Sequence, residues 1–390
     1  MRVLVISTPV ENHFLPLLPL IRALADAGHE ILVTGQPDVT GPAEAAGLAT
    51  VTFGEAFHSE DLRGGKRPAG LRPIEVSGRP DRQQIGGVAQ VWRNHVPYFL
   101  PDYLELAREW RADLVLSEHM EFAGSVIGAV LGIPSVQQRW GVNPTAPAML
   151  GFVRLYQGPL CTRLGLDSVP VPDLLLDPAP PALADTEAPA ARPIRPVPHA
   201  EPGTPWAYRT PPGRRVAVAL GGHTLELGGA RLLRRVVDVL ARTGGVEAVV
   251  SAAPRHREAI GALPEGMTYT ELTAPGLLFP GSDLVVHHGG AGSTLGAAAL
   301  GIPQLVLPQL GDAFVAGDRI AAAGAGITLD SAELQNDEGH LAAAVTELLA
   351  EPGHRAGAAL IREQIEAMPT AAEVVGRFEQ LTVRQGVAAV

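Results

Sequence analysis

Residues 283–308 read DLVVHHGGAGSTLGAAALGIPQLVLP. Leu284, Val285 and Val286 form a continuous apolar run, as expected for a parallel strand covered on both faces. The run ends at His287 and His288. Gly289, Gly290, Ala291 and Gly292 follow, and a small-residue helix is expected to open at Ser293 and Thr294. A second apolar run at 304–307 gives the next strand. Strand, glycine turn, helix and strand make the repeating unit of a doubly wound parallel sheet. Small residues let a backbone approach a ligand closely. The helix N-terminus adds unpaired N–H groups and a partial positive charge, a combination that suits phosphate. No Lys follows the glycines, so this is not a Walker loop. A tightly packed strand-to-helix turn would also use such glycines. The two histidines at the carboxyl end of the strand favour a ligand site.

Outward from this stretch, strands fit residues 215–220, 246–251 and 268–271. Helices fit 230–242, 316–323 and 333–350, with a final amphipathic helical stretch over 354–380. The first half shows the same alternation. Strands fit 2–7, 30–34, 113–117 and 134–138. Helices fit 15–27 (closed by Gly28), 39–46 (closed by Gly47), 88–110 with Pro97 and Pro101 as break points, and 122–131. Between them, 54–87 is rich in Gly, Arg and Pro and reads as a long irregular connection. Residues 170–212 are rich in Pro and Ala and read as a surface linker between two α/β halves. The expected units are 1–200 with the linker beginning near 170, then 213–370. A terminal helix at 371–390 would cross back to the first unit.

The chain has 390 residues, enough for about two or three domains. With 46% hydrophobic and 18% charged residues, it can bury large cores and is not disordered. Lys and Arg total 30 against 41 Asp and Glu, a net charge of −11, which repels nucleic-acid backbones. The single Cys161 cannot form an internal disulfide or a multi-thiolate metal site. No apolar stretch reaches the roughly 20 residues that span a bilayer. The N-terminal apolar run reads as a first strand and not as a signal peptide. A cytoplasmic protein without membrane contact is the expectation.

The segments HHGGAGST, GIPQLVLP and GDAFVAGDRIAAAGAG resemble the C-terminal signature of GT-B glycosyltransferases. More closely, they are similar to actinobacterial enzymes that attach activated deoxysugars to polyketide or other natural-product aglycones. In the first half, His13-x-x-Pro16, AGHEILV, ADLVLSE and LGIPSVQQRWG carry the same likeness. The resemblance implies an α/β protein of two Rossmann-like domains whose parallel sheets face a cleft. The first would bind the acceptor and the second the nucleotide sugar.

On that resemblance, His288 donates to the donor phosphate, and Gly290, Ala291, Gly292, Ser293 and Thr294 supply backbone and hydroxyl contacts. His287 is either a second contact or a packed strand-end residue. Gly221 and Gly222 form the other phosphate-facing loop, with His223 and Thr224 as secondary candidates. The segment from Thr273 to Leu277 presents its backbone to the base, which the family makes thymine in preference to uracil. Asp312 would bind sugar hydroxyls. Relatives often have Gln after it, whereas this chain has Ala313, a loss of amide donors and acceptor that fits a deoxysugar. Gln309 is the candidate for the missing amide.

His13 follows the first strand and matches the family's general base; a pKa near 6.5 would let it accept a proton at neutral pH. Its plainer reading is a loop histidine capping the next helix. Glu118 is the expected orienting carboxylate, with Glu121 as competitor and Asp113 at the far end of that strand. Phe14, Phe57, Trp92 and Trp140, with Val10 and Phe99, are candidates for the aglycone pocket or for plain core. No Asp-x-Asp pair occurs, so a metal-held nucleotide sugar is not expected. The first turn, STPVENH, lacks Gly-x-Gly-x-x-Gly, so no nicotinamide or flavin cofactor is expected. The partners are then a small-molecule aglycone and a nucleotide-sugar co-substrate. A homodimer is compatible with this, and no activator protein is indicated. The reading is an inverting transfer of a deoxysugar to a hydroxyl. Transfer to an aromatic carbon, sugar-nucleotide epimerisation and a non-enzymatic two-lobed binder stay open.

Overall fold

The computed structural model describes residues 1–57, 70–142, 147–200, 204–207, 213–271 and 273–388. The apolar runs become two wholly parallel sheets. The first contains β1 (Arg2–Ile6), β2 (Glu30–Gly35), β3 (Ala49–Thr52), β4 (Leu114–Glu118), β5 (Ser135–Gln138), β6 (Leu174–Asp177) and β7 (Arg192–Pro193), in the order β3-β2-β1-β4-β5-β6-β7. The second contains β8 (Arg214–Ala219), β9 (Val246–Ser251), β10 (Met267–Thr270), β11 (Leu284–His287), β12 (Gln304–Val306) and β13 (Gly326–Thr328), in the order β10-β9-β8-β11-β12-β13. In each sheet the chain builds outward on one side of the first strand, then returns to build on the other. The crevices between β1 and β4 and between β8 and β11 are therefore topological switch points, where open α/β sheets bind ligands.

Helices cover both faces of each sheet. On one face of the first, Leu4, Ile6 and Val115 pack with Val96, Leu100 and Tyr103 of the His95–Glu109 helix. On the other, Val3, Val5 and Leu114 pack with Ile21 and Leu24, and with Val374, Val375 and Phe378 of the Ala371–Ala388 helix. The end of the chain thus closes the core of the first sheet. The helical stretch expected over 354–380 runs as two helices, Pro352–Glu366 and Ala371–Ala388, the second at the place of the expected terminal helix 371–390, and the break contains Pro369.

Two other segments differ from their reading. Within 54–87, residues 58–69 lie outside the described residues, but Pro73–Ser77 and Arg82–Gly86 are short helices. They open with Pro73 at the first helical position and with the Asp81 side chain accepting from Gln84 N at 2.7 Å. This segment is anchored to the second half. The buried Arg72 guanidinium bonds Gln335 and, at 2.8 Å, Asn336, while Arg79 pairs with Asp318 and Asp330. Residues 170–212 are not a free linker either, although 201–203 and 208–212 lie outside the described residues. The apolar LLLD becomes β6, and Arg192–Pro193 becomes the edge strand β7, a place where proline is tolerated. Leu176, Leu183 and Ile194 are buried there.

Candidate functional site

In the first crevice, β1 pairs with β4 so that Ile6 lies opposite Ser117, which brings the loops beyond both strands together. Thr8 and Glu118 are buried between them. The Thr8 hydroxyl donates to Glu118 Oε1 at 2.7 Å, and Met120 N donates to Glu118 Oε2 at 2.7 Å. His13 Nδ1 lies 2.8 Å from the same Thr8 oxygen. A hydroxyl has one hydrogen; when Glu118 is ionised the carboxylate takes it, and Thr8 then accepts from His13 Nδ1–H. In that state the neutral tautomer carries its proton on Nδ1 and leaves the Nε2 lone pair as the proton acceptor.

The His13 ring stacks on Trp140, with centroids 3.7 Å apart and 8° between planes. The His119 ring also lies against Trp140, at 3.9 Å. Burial pushes the His13 pKa down to about 3, which corrects the ordinary value expected from sequence. Burial raises Glu118 to about 8, against the donors from Thr8 and Met120 that favour its anion.

Glu121, the competitor, belongs elsewhere. Its Oε2 lies 2.7 Å from His95 Nε2, within the cluster of Trp92 and Phe99. Asp113 accepts from Arg2 N at 2.7 Å, at the opposite end of β4. Phe57 packs on Trp92 at 5.4 Å, in the same cluster. Phe14 does not join the aglycone candidates. It is fully buried against Val3, Val5 and Leu17 on the other face of the sheet, because the short Glu11–Phe14 helix turns it inward.

In the second crevice, the helix runs Ala291–Ala299 with Gly290 as its N-cap, so it opens two residues before the expected Ser293. Thr294 N donates to Gly290 O at 2.9 Å, and the N–H groups of Ala291, Gly292 and Ser293 precede the first intrahelical bond. Gly292 is exposed and Ser293 half-buried, but Thr294 is fully buried. The earlier start buries Thr294, but its Oγ1 has no hydrogen-bond partner within the protein and so stays available for the expected hydroxyl contact.

The His288 ring lies between the two glycine loops. A Cβ on Gly221, which has φ +76°, would sit 2.7 Å from His288 Cε1, and one on Gly290 would overlap Nε2. Burial lowers the His288 pKa to about 4, against the Ala219 carbonyl, which favours the protonated ring. Gly222 begins the turn beyond Gly221, followed by His223 and by a buried Thr224. His287 resolves as the packed alternative. It is buried, its Nε2 donates to Gln304 Oε1 at 2.8 Å, and its Nδ1 accepts from Gly289 N at 3.0 Å.

Asp312 lies exposed in the first turn of the helix Gly311–Ala322. The amide nitrogen of Gln309 is not free for a sugar, while its Oε1 has no partner within the protein. Gln309 is buried, and its Nε2 donates to Leu307 O at 3.0 Å and Gln335 Oε1 at 2.7 Å. Thr273 N donates to Ser251 Oγ at 3.2 Å; Leu277 N donates to Ala274 O at 2.9 Å, and Leu277 O accepts from Trp206 N at 2.8 Å. These backbone groups, expected at the base, are engaged within the protein.

The two crevices meet. Gly141, next to Trp140, packs so tightly on Ala291 that a Cβ there would overlap the alanine side chain. Val142 joins Leu295 and Ala298 in one buried cluster. Sequence reasoning missed Thr8, His119 and Gly141. Thr8 was visible only as a hydroxyl five residues before His13, and His119 only as the neighbour of Glu118.

The family described as erythromycin biosynthesis protein CIII-like matches this chain twice, with its N-terminal domain over residues 22–221 and its C-terminal domain over 234–381. The chain belongs to that family. It is a GT-B glycosyltransferase, an enzyme that transfers sugar from a nucleotide sugar. The L-demethylnoviosyl transferase of Streptomyces niveus is 32% identical, over 96% of each chain. The 3-alpha-mycarosylerythronolide B desosaminyl transferase of Saccharopolyspora erythraea is 30% identical, over 98% of each. Among solved structures, the spinosyn rhamnosyltransferase SpnG complexed with thymidine diphosphate is 33% identical with a TM-score of 0.87, covering 97% of this chain and 100% of its own. SpnG complexed with spinosyn aglycone is 34% identical with a TM-score of 0.86, at the same coverage. Among the described residues, no helix is long and apolar enough to cross a membrane.

Proposed function

We propose that this family member transfers a deoxysugar from thymidine diphosphate to a hydroxyl of a polyketide-type or other natural-product aglycone, with inversion and without a metal. The observation that carries this reading is the Thr8 bridge, which joins His13 to Glu118 and leaves Nε2 as the base. His13 Nε2 takes the acceptor proton as the acceptor oxygen bonds to the anomeric carbon. The bond from that carbon to the diphosphate breaks on the opposite face, so the configuration inverts. The leaving diphosphate carries the electron pair to the N–H groups at Ala291, Gly292 and Ser293 and to His288. Support for the sugar class comes from the named relatives and from Ala313 beside Asp312. Support for the metal-free route comes from the missing Asp-x-Asp pair. Among the described residues, no group of three His, Cys, Asp or Glu side chains is placed to hold a metal.

The test is transfer from thymidine diphosphate deoxysugars to 10-deoxymethynolide, tylactone and spinosyn aglycone, with and without chelator. The expected result is a product of inverted anomeric configuration, formed at a rate the chelator leaves unchanged. Retained configuration, or activity lost to chelator and restored by magnesium, would overturn the mechanism.

A further inference from the structure

A cavity of about 520 Å³ lies in the first half, beside the face of the sheet that carries β5 and β6. Its walls are mainly apolar, with Phe122 after β4, Leu150 and Val153 of the Pro147–Arg163 helix, and Leu175 of β6. The volume falls in the range of pockets that enclose a drug-sized ligand. Arg154, Asp173 and Arg192, all exposed, also line the cavity, and besides His119 one buried polar side chain is set into the wall. Gln137 lies on β5 between Ser117 of β4 and Leu175 of β6, and lines the cavity. It is 5% exposed, and its Nε2 has no hydrogen-bond partner. The next residue, Gln138, points to the opposite face, where its Nε2 donates to Pro16 O at 2.8 Å. A buried amide nitrogen with two unused donors is costly, and such groups in native proteins answer to something that occupies the space.

The cavity borders the first crevice, with two rings between it and His13. His119 forms part of its wall; the same ring lies against Trp140, and Trp140 stacks on His13. We infer that this cavity holds the part of the acceptor remote from the attacked hydroxyl. Its occupant is an apolar ring scaffold with a keto or hydroxyl oxygen that accepts from Gln137 Nε2. Gln137 is then a specificity-determining residue for the acceptor. The inference rests on the transferase reading and deepens it.

The test measures acceptor KM, kcat and thymidine diphosphate affinity for the wild type, Gln137→Leu and Val153→Trp. The acceptors are 10-deoxymethynolide, tylactone and spinosyn aglycone. Leucine keeps the approximate shape of glutamine and removes an unpaired polar group, so this variant should fold at least as well as the wild type. Its acceptor KM should rise about three- to tenfold, the loss of one hydrogen bond, with kcat and nucleotide affinity within about twofold. Val153→Trp fills the cavity and should raise KM further. An unchanged acceptor KM in Gln137→Leu, with a raised Tm, would overturn the inference and leave the cavity to water. A wild type that transfers to none of the acceptors would instead overturn the polyketide-type acceptor of the proposed function, and the inference with it.

Discussion

Both sheets have a crevice beside their first strand, yet the two crevices are furnished with opposite chemistry. Between β1 and β4 the strand ends carry a buried carboxylate, Glu118, joined through Thr8 to His13. Between β8 and β11 they carry glycines and a histidine ring held between them, at the mouth of a helix N-terminus. A buried carboxylate repels a diphosphate but favours a base that must take a proton. Bare N–H groups do the reverse. On the proposed mechanism, one topology used twice separates proton removal from diphosphate binding, and the contact of Gly141 with Ala291 brings the two together.

The largest effect that could break this comparison is at His13. His13→Ala should lower turnover by about 10²- to 10⁴-fold, the usual contribution of a general base. His13→Asn should be nearly as impaired, because an amide cannot accept the proton at neutral pH. Steady-state rates check both, and near-normal turnover in either would remove the base from this crevice.

Glu118→Gln sharpens the comparison through pH. Losing the charged end of the relay should cost about ten- to a hundredfold in kcat/KM, the scale of a hydrogen bond to a charged group. The His13 pKa is lowered to about 3, so the ring stays neutral from weakly acidic pH upward and adds no limb near its ordinary 6.5. The Glu118 pKa is raised to about 8, so its anion forms as pH rises through that value. Wild-type kcat/KM should therefore climb towards pH 8, and Glu118→Gln should lack that climb. A limb near pH 6.5 retained in Glu118→Gln would show that His13 titrates at its ordinary value.

The smallest effect is at the bridge. Thr8→Val removes one neutral hydrogen bond and should lower kcat by about two- to tenfold, with thymidine diphosphate affinity unchanged. An unaltered kcat would mean that His13 keeps its tautomer without Thr8.

What the sequence made legible was what local pattern controls. Apolar runs located the central strands, and the residues at their carboxyl ends, His13, Glu118, Gly221 and His288, lie in the two crevices. Contacts distant in sequence were not legible. The Gln309 amide nitrogen is spent on Gln335, and Arg72 is buried against Gln335 and Asn336, because their partners lie on other elements. Helix phase was a second limit. The helix after the glycines starts two residues before its expected place, and the break after Phe14 hides which way that ring faces. Short edge strands were a third. Arg192–Pro193 looks like linker until an adjacent strand supplies its partner.

The most direct test of the division between the crevices is a calorimetric titration of thymidine diphosphate into the wild type, His13→Ala and His288→Ala side by side. His13→Ala should bind within about twofold of the wild type. His288→Ala should bind about ten- to a hundredfold more weakly, as loss of a hydrogen bond to a charged group requires. Equal weakening in both variants, or none in His288→Ala while it stays folded, would contradict the account.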